Sequence, residues 1–438
     1  MALRRLTARE YAINLAMTVA CWPVYTRREW ANRERLDAFA LRRTLEMARY
    51  AARTVPVYAE RYAEASVNPD SMRTWDDVRR LPLMDKATIV GGYPDRSIAR
   101  GSDLAACLIS TSSGSSGRMM FIPHRADRFW PYLLSGQRML GWAAGGRYPF
   151  WWRQAYVYTS EYPLLRVPGV YPMRFIPTSG QPEAIVAELE AVRPHLLHTY
   201  PSVLRDLVSL YPKRMRRLHL KGASVGSELS TQDERDGWAD MLGCRVRDEY
   251  SSEELGRIAS QCPDGRYHLH EDVVHVETLD EDGHPTDGIG EIVGTEFHNR
   301  TMPFVRYRQG DLARVSDERC TCGRQTRLLV DLAGRSNDGF VLGDGRRVAP
   351  GFLLDVCYRA LIAAGDGAAS AYRFVQADPA HADFEFVPGT AFDPSVTEVM
   401  GDSLRRELAD TGLTIRVLPV EAIGRPVGGK RATVFRAF

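Results

Sequence analysis

Five short stretches of this 438-residue chain carry residue types and spacings that do chemistry. In the first, Ser112, Ser113, Gly114, Ser115, Ser116 and Gly117 follow a strand-like run over residues 105–109. Glycine lets backbone N–H groups turn toward a phosphate, and the hydroxyls add donors. The hexapeptide also reads as a flexible linker, but apolar Leu108-Ile109 and residues 119–123 bracket it, and it lacks the Gly-Lys-Ser/Thr ending of a P-loop. The second stretch, Asp248 to Glu254, sets four acids around Tyr250. Mg²⁺ on a nucleotide would offset that charge; a solvated acidic loop is the alternative. The third, Phe304 to Asp311, reads as a strand and then a Gly turn presenting Asp311. That carboxylate could accept both hydroxyls of a ribose or simply hold the turn. The fourth is Gly334-Arg335-Ser-Asn-Asp338, and the fifth runs from Gly424 to Lys430, a lysine after two glycines that alone would be a surface residue.

A separate constellation is Cys262, His268, Cys320 and Cys322. A Cys-x-Cys-Gly knuckle with an upstream Cys-x₅-His supplies four ligands suited to tetrahedral Zn²⁺, and with every ligand from protein the ion would be structural. Ordinary buried cysteines are the alternative, and His270 is the substitute ligand if His268 points away. Cys21, Cys107, Cys244 and Cys357 are expected in the core. Seven cysteines are an odd count, and with no secretion signal evident they argue against a disulfide framework.

The order of the five stretches carries more than any one of them. Together they resemble the adenylate-forming superfamily of acyl-CoA synthetases, luciferases and adenylation domains, closest to the phenylacetate-CoA ligase branch and its capsule-cluster homologues. Residues 112–117 resemble that branch's Ser-Ser-Gly-Thr-Thr-Gly, 250–254 its Tyr-Gly-x-Ser/Thr-Glu, 307–311 its Tyr-Arg-x-Gly-Asp, 334–338 its Gly-Arg-x-Asp-Asp, and 425–430 its Arg-x-x-x-Gly-Lys. Residues 54–62 and Leu81-Pro-Leu-Met-Asp-Lys86 are similar to it as well, so the resemblance runs from about residue 33 to the end.

The resemblance implies roles. Ser112 to Gly117 would hold the β- and γ-phosphates of ATP, and Glu254 would bind Mg²⁺. Tyr250, with Ser251 beside it, would stack on adenine, and Gly226, Ser227 and Glu228 would wall that pocket. Asp311 would take the ribose hydroxyls with help from Arg335, and Lys430 would stabilise the charge developing between carboxylate and α-phosphate. A small mobile C-terminal domain would then withdraw Lys430 and open a path for the thiol of CoA. The acid would be small and aromatic, with Trp142, His198, Tyr200, Gly226 and Ser252 as pocket candidates; core packing is the other reading of these aromatics. Four positions depart from the branch: Met119-Met120 after the phosphate loop, where Arg118 or Arg125 could substitute, Ser251 for Gly, Glu253 for Ser or Thr, and Asn337 for Asp. Glu254, Asp311, Arg335 and Lys430 all remain, so an active enzyme is expected. An amine or a carrier protein could replace CoA as acceptor, or an inorganic oxyacid such as nitrite could be the acid activated, toward an arylamine; a non-catalytic nucleotide-binding scaffold is the rival from another class.

The elements that must position these residues follow from periodicity. Residues 33–53 read as an amphipathic helix ending near Val55-Pro56, and a short helix follows Asp85. Strand-like 155–159, 196–199 and 222–225 alternate with helical 182–191 and 202–211, which predicts α/β layers. Short strands and turns over 268–314 predict a β-rich part, about 260–330. The expected fold is therefore α/β: a large N-terminal domain (1–334) containing that part, a hinge at 335–338, and an α+β C-terminal domain (339–438). With 57 basic and 55 acidic residues the balance is +2, which excludes a nucleic-acid protein's global charge. The apolar run 11–25 is too short and interrupted to span a membrane and reads as a buried or surface-docked helix. A cytoplasmic protein is expected, with a small acid and CoA or another acceptor as partners and a second copy of the chain as a candidate one.

Overall fold

In the computed structural model the described residues are 6–112, 120–146, 148–159, 161, 172–335, 339–365, 367–389, 391–424 and 433–438, with 335 described by its backbone alone. Residues 113–119, 336–338 and 425–432 therefore lie outside the described residues, and with them Ser113 to Gly117, Asn337 and Lys430. The described chain forms two compact units. One takes in the residues up to Met139 together with Glu249–Asp331; the other takes in Leu140–Glu161, 172–248 and Leu332–Phe438.

Local signals explain the helices of the first unit. Thr7 and Glu10 form a capping box that starts Ala8–Arg28. Asn32 caps Arg33–Thr54, which stops at Val55 (φ −114°, ψ 111°) because Pro56 crowds helical geometry out of the preceding residue. Asp85 caps Lys86–Gly91 through the Thr88 N–H, giving the short helix expected there. The strand read from residue 105 starts later. Asp103 accepts from the Ala105 N–H and folds Leu104–Ala106 into a 3₁₀ turn, leaving Cys107–Ser112 as the strand. It pairs antiparallel with Met120–Arg125, so Ser112 and Met120, on either side of 113–119, face one another.

The remaining strands of this unit lie between 256 and 331, as in the antiparallel hairpin of Val274–Leu279 and Gly290–Glu296. The reading of Phe304 to Asp311 as a strand followed by a turn is corrected. The strand is Tyr307–Ser316 and runs through Gly310 and Asp311. Val293 lies opposite Arg308 but Glu291 opposite Leu312, so extra residues of the longer strand bulge out. Gly310 takes the positive φ (80°) the bulge demands, and Asp311 leaves the ladder aimed by it.

A buried ion pair ties this unit together: Arg138 donates to both oxygens of Asp272 at 2.8 and 2.7 Å and to the Tyr25 carbonyl at 3.2 Å. Burial alone would raise the Asp272 pKa, but Arg138 more than offsets it and holds the carboxyl at about 2. A depressed pKa contributes stability above the unfolded value of about 4 that is lost as pH falls toward 2. Asp272→Ala is expected to lower the unfolding free energy at neutral pH by about 3–5 kcal/mol, since it strands a buried guanidinium. Urea denaturation checks this, and the variant should also lose part of the wild-type decline in stability between pH 4 and 2.

In the second unit four parallel strands lie in the order Gly222–Gly226, Leu196–Thr199, Gln154–Tyr158, Met173–Pro177. The helices Pro182–Val192 and Pro201–Leu210 each begin on a proline, whose missing N–H costs nothing there. Val157, Leu189, Leu197, Leu204 and Val225 are among the fully buried residues of this core. From Phe340 on, a second core forms around Phe374, Phe384, Leu353 and Met400, between the helices Pro350–Ala364 and Ser395–Glu407 and a four-stranded sheet. Its Tyr372 ring lies under Arg205, 4.9 Å away, while Arg205 pairs with buried Glu234 at 2.7 Å. No helix among the described residues is long and apolar enough to cross a membrane.

Candidate active site

In the first unit the acidic stretch is neither a solvated loop nor one cluster. It lies along the strand Val246–Ser252 and the turn after it, and three of its carboxylates are buried. Each has its own partner. Asp248, at the edge of the second unit, lies 3.6 Å from Arg235, and Glu249 pairs with Arg257 at 2.5 Å. Glu254 accepts from the Ser112 hydroxyl at 2.9 Å and from the Tyr307 hydroxyl at 3.3 Å. The Ser112 contact joins residues 142 apart in sequence, so the acid stands at the root of the Ser/Gly stretch. Glu253 is exposed.

Tyr307 is protonated in this setting because burial, and then the charge of Glu254, push its phenol above the ordinary value. It is held by Leu81 to Lys86: the Met84 N–H donates to the Arg306 carbonyl at 3.0 Å, and the Arg308 N–H donates to the Met84 carbonyl at 2.8 Å. The Arg306 guanidinium donates to the Leu81 carbonyl of the same segment (2.6 Å) and to Glu277 of the strand Val274–Leu279 (2.7 Å). That segment delivers Lys86, whose Nζ lies 3.5 Å from the Ser112 hydroxyl. Lys86 thus adds a cation beside Ser112 and Glu254. Its motif was legible, but a lysine at the start of a helix carries no mark of where its ammonium goes. Arg125, a sequence candidate for phosphate contact, is held by Asp127 at 2.7 Å, and Arg118 lies outside the described residues.

Tyr250 donates its hydroxyl to Asp311 at 2.5 Å, so the bulge and the strand meet. The Ser252 hydroxyl accepts from the Leu255 N–H at 3.1 Å and donates to Gln309 at 2.9 Å, which closes the turn before Glu254. Ser252 therefore shapes this turn. Ser251 is half-buried on the same strand. The side chain of Arg335 is outside the description.

In the second unit, candidates gather at the carboxyl ends of the parallel strands, where ligands of open α/β sheets bind. His198 accepts a bond from the Tyr158 hydroxyl at Nε2 (2.9 Å) and donates from Nδ1 to the Ser224 carbonyl (3.2 Å). Tyr158 stacks on Tyr156 at 4.2 Å and packs on Tyr200 at 4.2 Å; the Tyr200 hydroxyl meets Thr159 at 3.0 Å. Tyr156, Tyr158 and Thr159 join His198 and Tyr200 here, though sequence reasoning marked them only as a strand. Gly226 ends its strand, Ser227 adopts a left-handed φ of 69°, and Glu228 accepts from the Ser202 N–H and hydroxyl at the start of Pro201–Leu210, a helix N-terminus that favours an anion. Trp142 is buried in the last turn of the helix Trp130–Ala143, and the carbonyl of its neighbour Ala143 closes on Gly222 at the opposite, amino-terminal edge. There too Trp152 stacks on His195, 5.3 Å away.

Cys262, His268, Cys320 and Cys322 do converge, with ligand atoms all within 4.8 Å of one another. The Cys262 and Cys320 sulfurs are 3.8 Å apart and the Cys322 sulfur is 3.3 Å from His268 Nε2. Tetrahedral thiolates about 2.3 Å from zinc stand about 3.8 Å apart, so the spacing fits that ion. His268 Nδ1 faces the Thr326 carbonyl and hydroxyl at 3.2 and 2.8 Å, which turns the Nε2 lone pair toward the sulfurs. Burial lowers its pKa to about 4, keeping the imidazole neutral. His270 is engaged elsewhere, by Ser260 at 2.9 Å and Arg138 at 3.1 Å. Cys107 and Cys357 are buried as expected, while Cys21 and Cys244 are half-buried.

No family model matches the chain. Among curated proteins, it is 28% identical over 324 residues to a phenylacetate-coenzyme A ligase of Thermus thermophilus, covering 71% of this chain and 72% of that one. The Escherichia coli phenylacetate-coenzyme A ligase is 26% identical over 336 residues, 72% and 74% of the two chains. Among solved structures, a 2-hydroxyisobutyryl-CoA ligase in its postadenylation state superposes with a TM-score of 0.74 at 18% identity, over 94% of this chain and 91% of that one, and shows the same fold. In sequence the chain is thus related to phenylacetate-coenzyme A ligases, and in fold it is like a 2-hydroxyisobutyryl-CoA ligase.

Proposed function

We propose that the protein joins ATP to a small aromatic carboxylic acid, releasing pyrophosphate, and then passes the acyl group of the acyl-AMP to CoA. The observation that carries this reading is the meeting of Ser112, Glu254 and Lys86 at the start of the Ser/Gly stretch. Glu254 is an anionic oxygen donor with no ion pair among the described residues, a ligand suited to Mg²⁺. When bound, Mg²⁺ would neutralise charge on the phosphates. In the first step a carboxylate oxygen of the acid attacks the α-phosphorus and the bond to the β-phosphate oxygen breaks. Lys86, Ser112 and the hydroxyls of 113–117 bind phosphate oxygens, Asp311 takes the ribose, and Lys430 offsets charge on the attacking oxygen. In the second step the CoA sulfur, losing its proton, attacks the acyl carbon and AMP departs. We ascribe the change of step to rotation of residues 339–438 about 335–338. The aromatic acid rests on the Tyr156, Tyr158, Tyr200 and His198 group, apolar ring faces with a few polar groups between them.

Pyrophosphate exchange across a panel of aromatic and aliphatic acids tests the reading, with AMP release followed with CoA and with amines. Exchange with an aromatic acid and AMP release accelerated by CoA are expected. Exchange with aliphatic acids alone would remove the aromatic assignment, and AMP release only with an amine would replace the acceptor. No exchange with any acid would overturn adenylation itself.

The four converging ligands are best accounted for by a structural zinc. Metal analysis should find one zinc per chain, and Cys320→Ser should lose it and lower the thermal midpoint by several degrees. A zinc-free wild-type protein with an unchanged midpoint would dispose of the assignment.

A further inference from the structure

The helix Ala8–Arg28 has two apolar sides, and among the described residues only one is packed against the rest of its unit. Sixteen consecutive residues, 11 to 26, carry no charge. On the inner side Asn14 donates to the Ala126 carbonyl at 2.7 Å and accepts from the Phe129 N–H at 2.8 Å, while Tyr25 meets His298 at 3.3 Å and packs edge-on against Trp130. The outer side presents Leu15, Met17, Val19, Trp22 and Val24, with Val19 66% and Val24 48% exposed. A helix apolar all round is ordinarily buried, and an ordinary surface helix turns charges outward. This one does neither, so its outer side is a surface that something covers.

The charges at its rim say what. Arg9 and Arg27 stand exposed at the two ends. Neither end offers a free acid: Glu10 is taken up in the capping box with Thr7, and buried Glu29 pairs with Arg324. A second copy of the chain fits poorly. Antiparallel pairing of two such helices would set Arg9 against Arg27, and parallel pairing would set each arginine against itself. An anionic lipid surface fits both features, with acyl chains against the apolar side and headgroup phosphates against the arginines. The helix is not apolar enough to cross a bilayer, but its 21 residues, about 31 Å long, can lie in the plane of one.

We propose that the outer side of Ala8–Arg28 seats the protein on an anionic membrane surface, with the helix lying in the interfacial plane. The full chain is tested by co-sedimentation with vesicles of phosphatidylcholine containing phosphatidylserine, against vesicles of phosphatidylcholine alone. Binding to the anionic vesicles should be at least about tenfold stronger, and should weaken in high salt as headgroup attraction is screened. Val19→Glu, at an exposed position outside the candidate site, should cut binding about tenfold while leaving the thermal midpoint and pyrophosphate exchange unchanged. Arg9→Glu with Arg27→Glu should abolish the preference for anionic vesicles. Failure of the wild-type chain to bind anionic vesicles overturns the proposal, as does equal binding by Val19→Glu. Light scattering closes the remaining route: a wild-type dimer that Val19→Glu dissociates, with no vesicle binding, would assign the face to a second copy.

Discussion

Glu254→Gln is expected to lower pyrophosphate exchange by about 10²–10³-fold, the loss typical of removing one preorganised electrostatic contact to a reacting phosphate or oxyanion. The substitution suits the question. The Gln amide oxygen can still accept from Ser112 and Tyr307, now at 2.9 and 3.3 Å from the carboxylate, so the fold should hold and the thermal midpoint should move little. What disappears is the negative charge. The Mg²⁺ concentration for half-maximal exchange should therefore rise, and part of the lost rate should return at high Mg²⁺. If Glu254 served only to anchor Ser112, the variant would exchange pyrophosphate at the wild-type rate with an unchanged Mg²⁺ requirement.

The second large effect is assigned to Lys430→Ala. Loss of the cation at the attacking oxygen should lower acyl-AMP formation by about 10²–10³-fold. If Lys430 is withdrawn between the steps, thioester formation from a synthetic acyl-AMP and CoA should stay within a few-fold of wild type. Single-turnover assays of each half-reaction measure this split. Equal losses in both would place Lys430 in a site used throughout and would remove the rotation of residues 339–438 from the scheme. The helices Pro201–Leu210 and Gln232–Leu242 hold that segment through Arg205 under Tyr372 and through the Tyr358 hydroxyl, which donates to the Asp233 carbonyl at 3.0 Å. These few polar and ring contacts are of a kind that can be remade in another orientation.

Local chemistry was readable wherever a short signal decides structure. The stop of Arg33–Thr54 before Pro56, the cap of Asp85 on its helix and the alternation of 154–226 follow from φ restriction, side-chain capping and hydrophobic period, all set within a few residues. The Cys/His cluster was readable for the same reason, since a Cys-x-Cys turn brings two sulfurs together by itself. Even so, only the pairing of Leu328 with His268 and the turn of His268 onto Thr326 chose it over His270.

The bulge at Gly310 was beyond reach, because a bulge is a mismatch between two strands and is written in neither one alone. Trp142 and His198 looked alike in sequence as aromatic pocket candidates, and only the fold sets His198 between Tyr158 and the Ser224 carbonyl, while Trp142 lies in the last turn of the helix Trp130–Ala143. The class of chemistry was legible in the sequence alone, because it was read from residue types in a fixed order, from Ser112 through Glu254 and Asp311 to Lys430, which needs no coordinates. The tertiary structure decided which groups stand together. Lys86 and Tyr307 reach Ser112 and Glu254 through long-range contacts whose partners are 26 to 142 residues apart, and distance along the chain places no limit on distance in space once a core has formed.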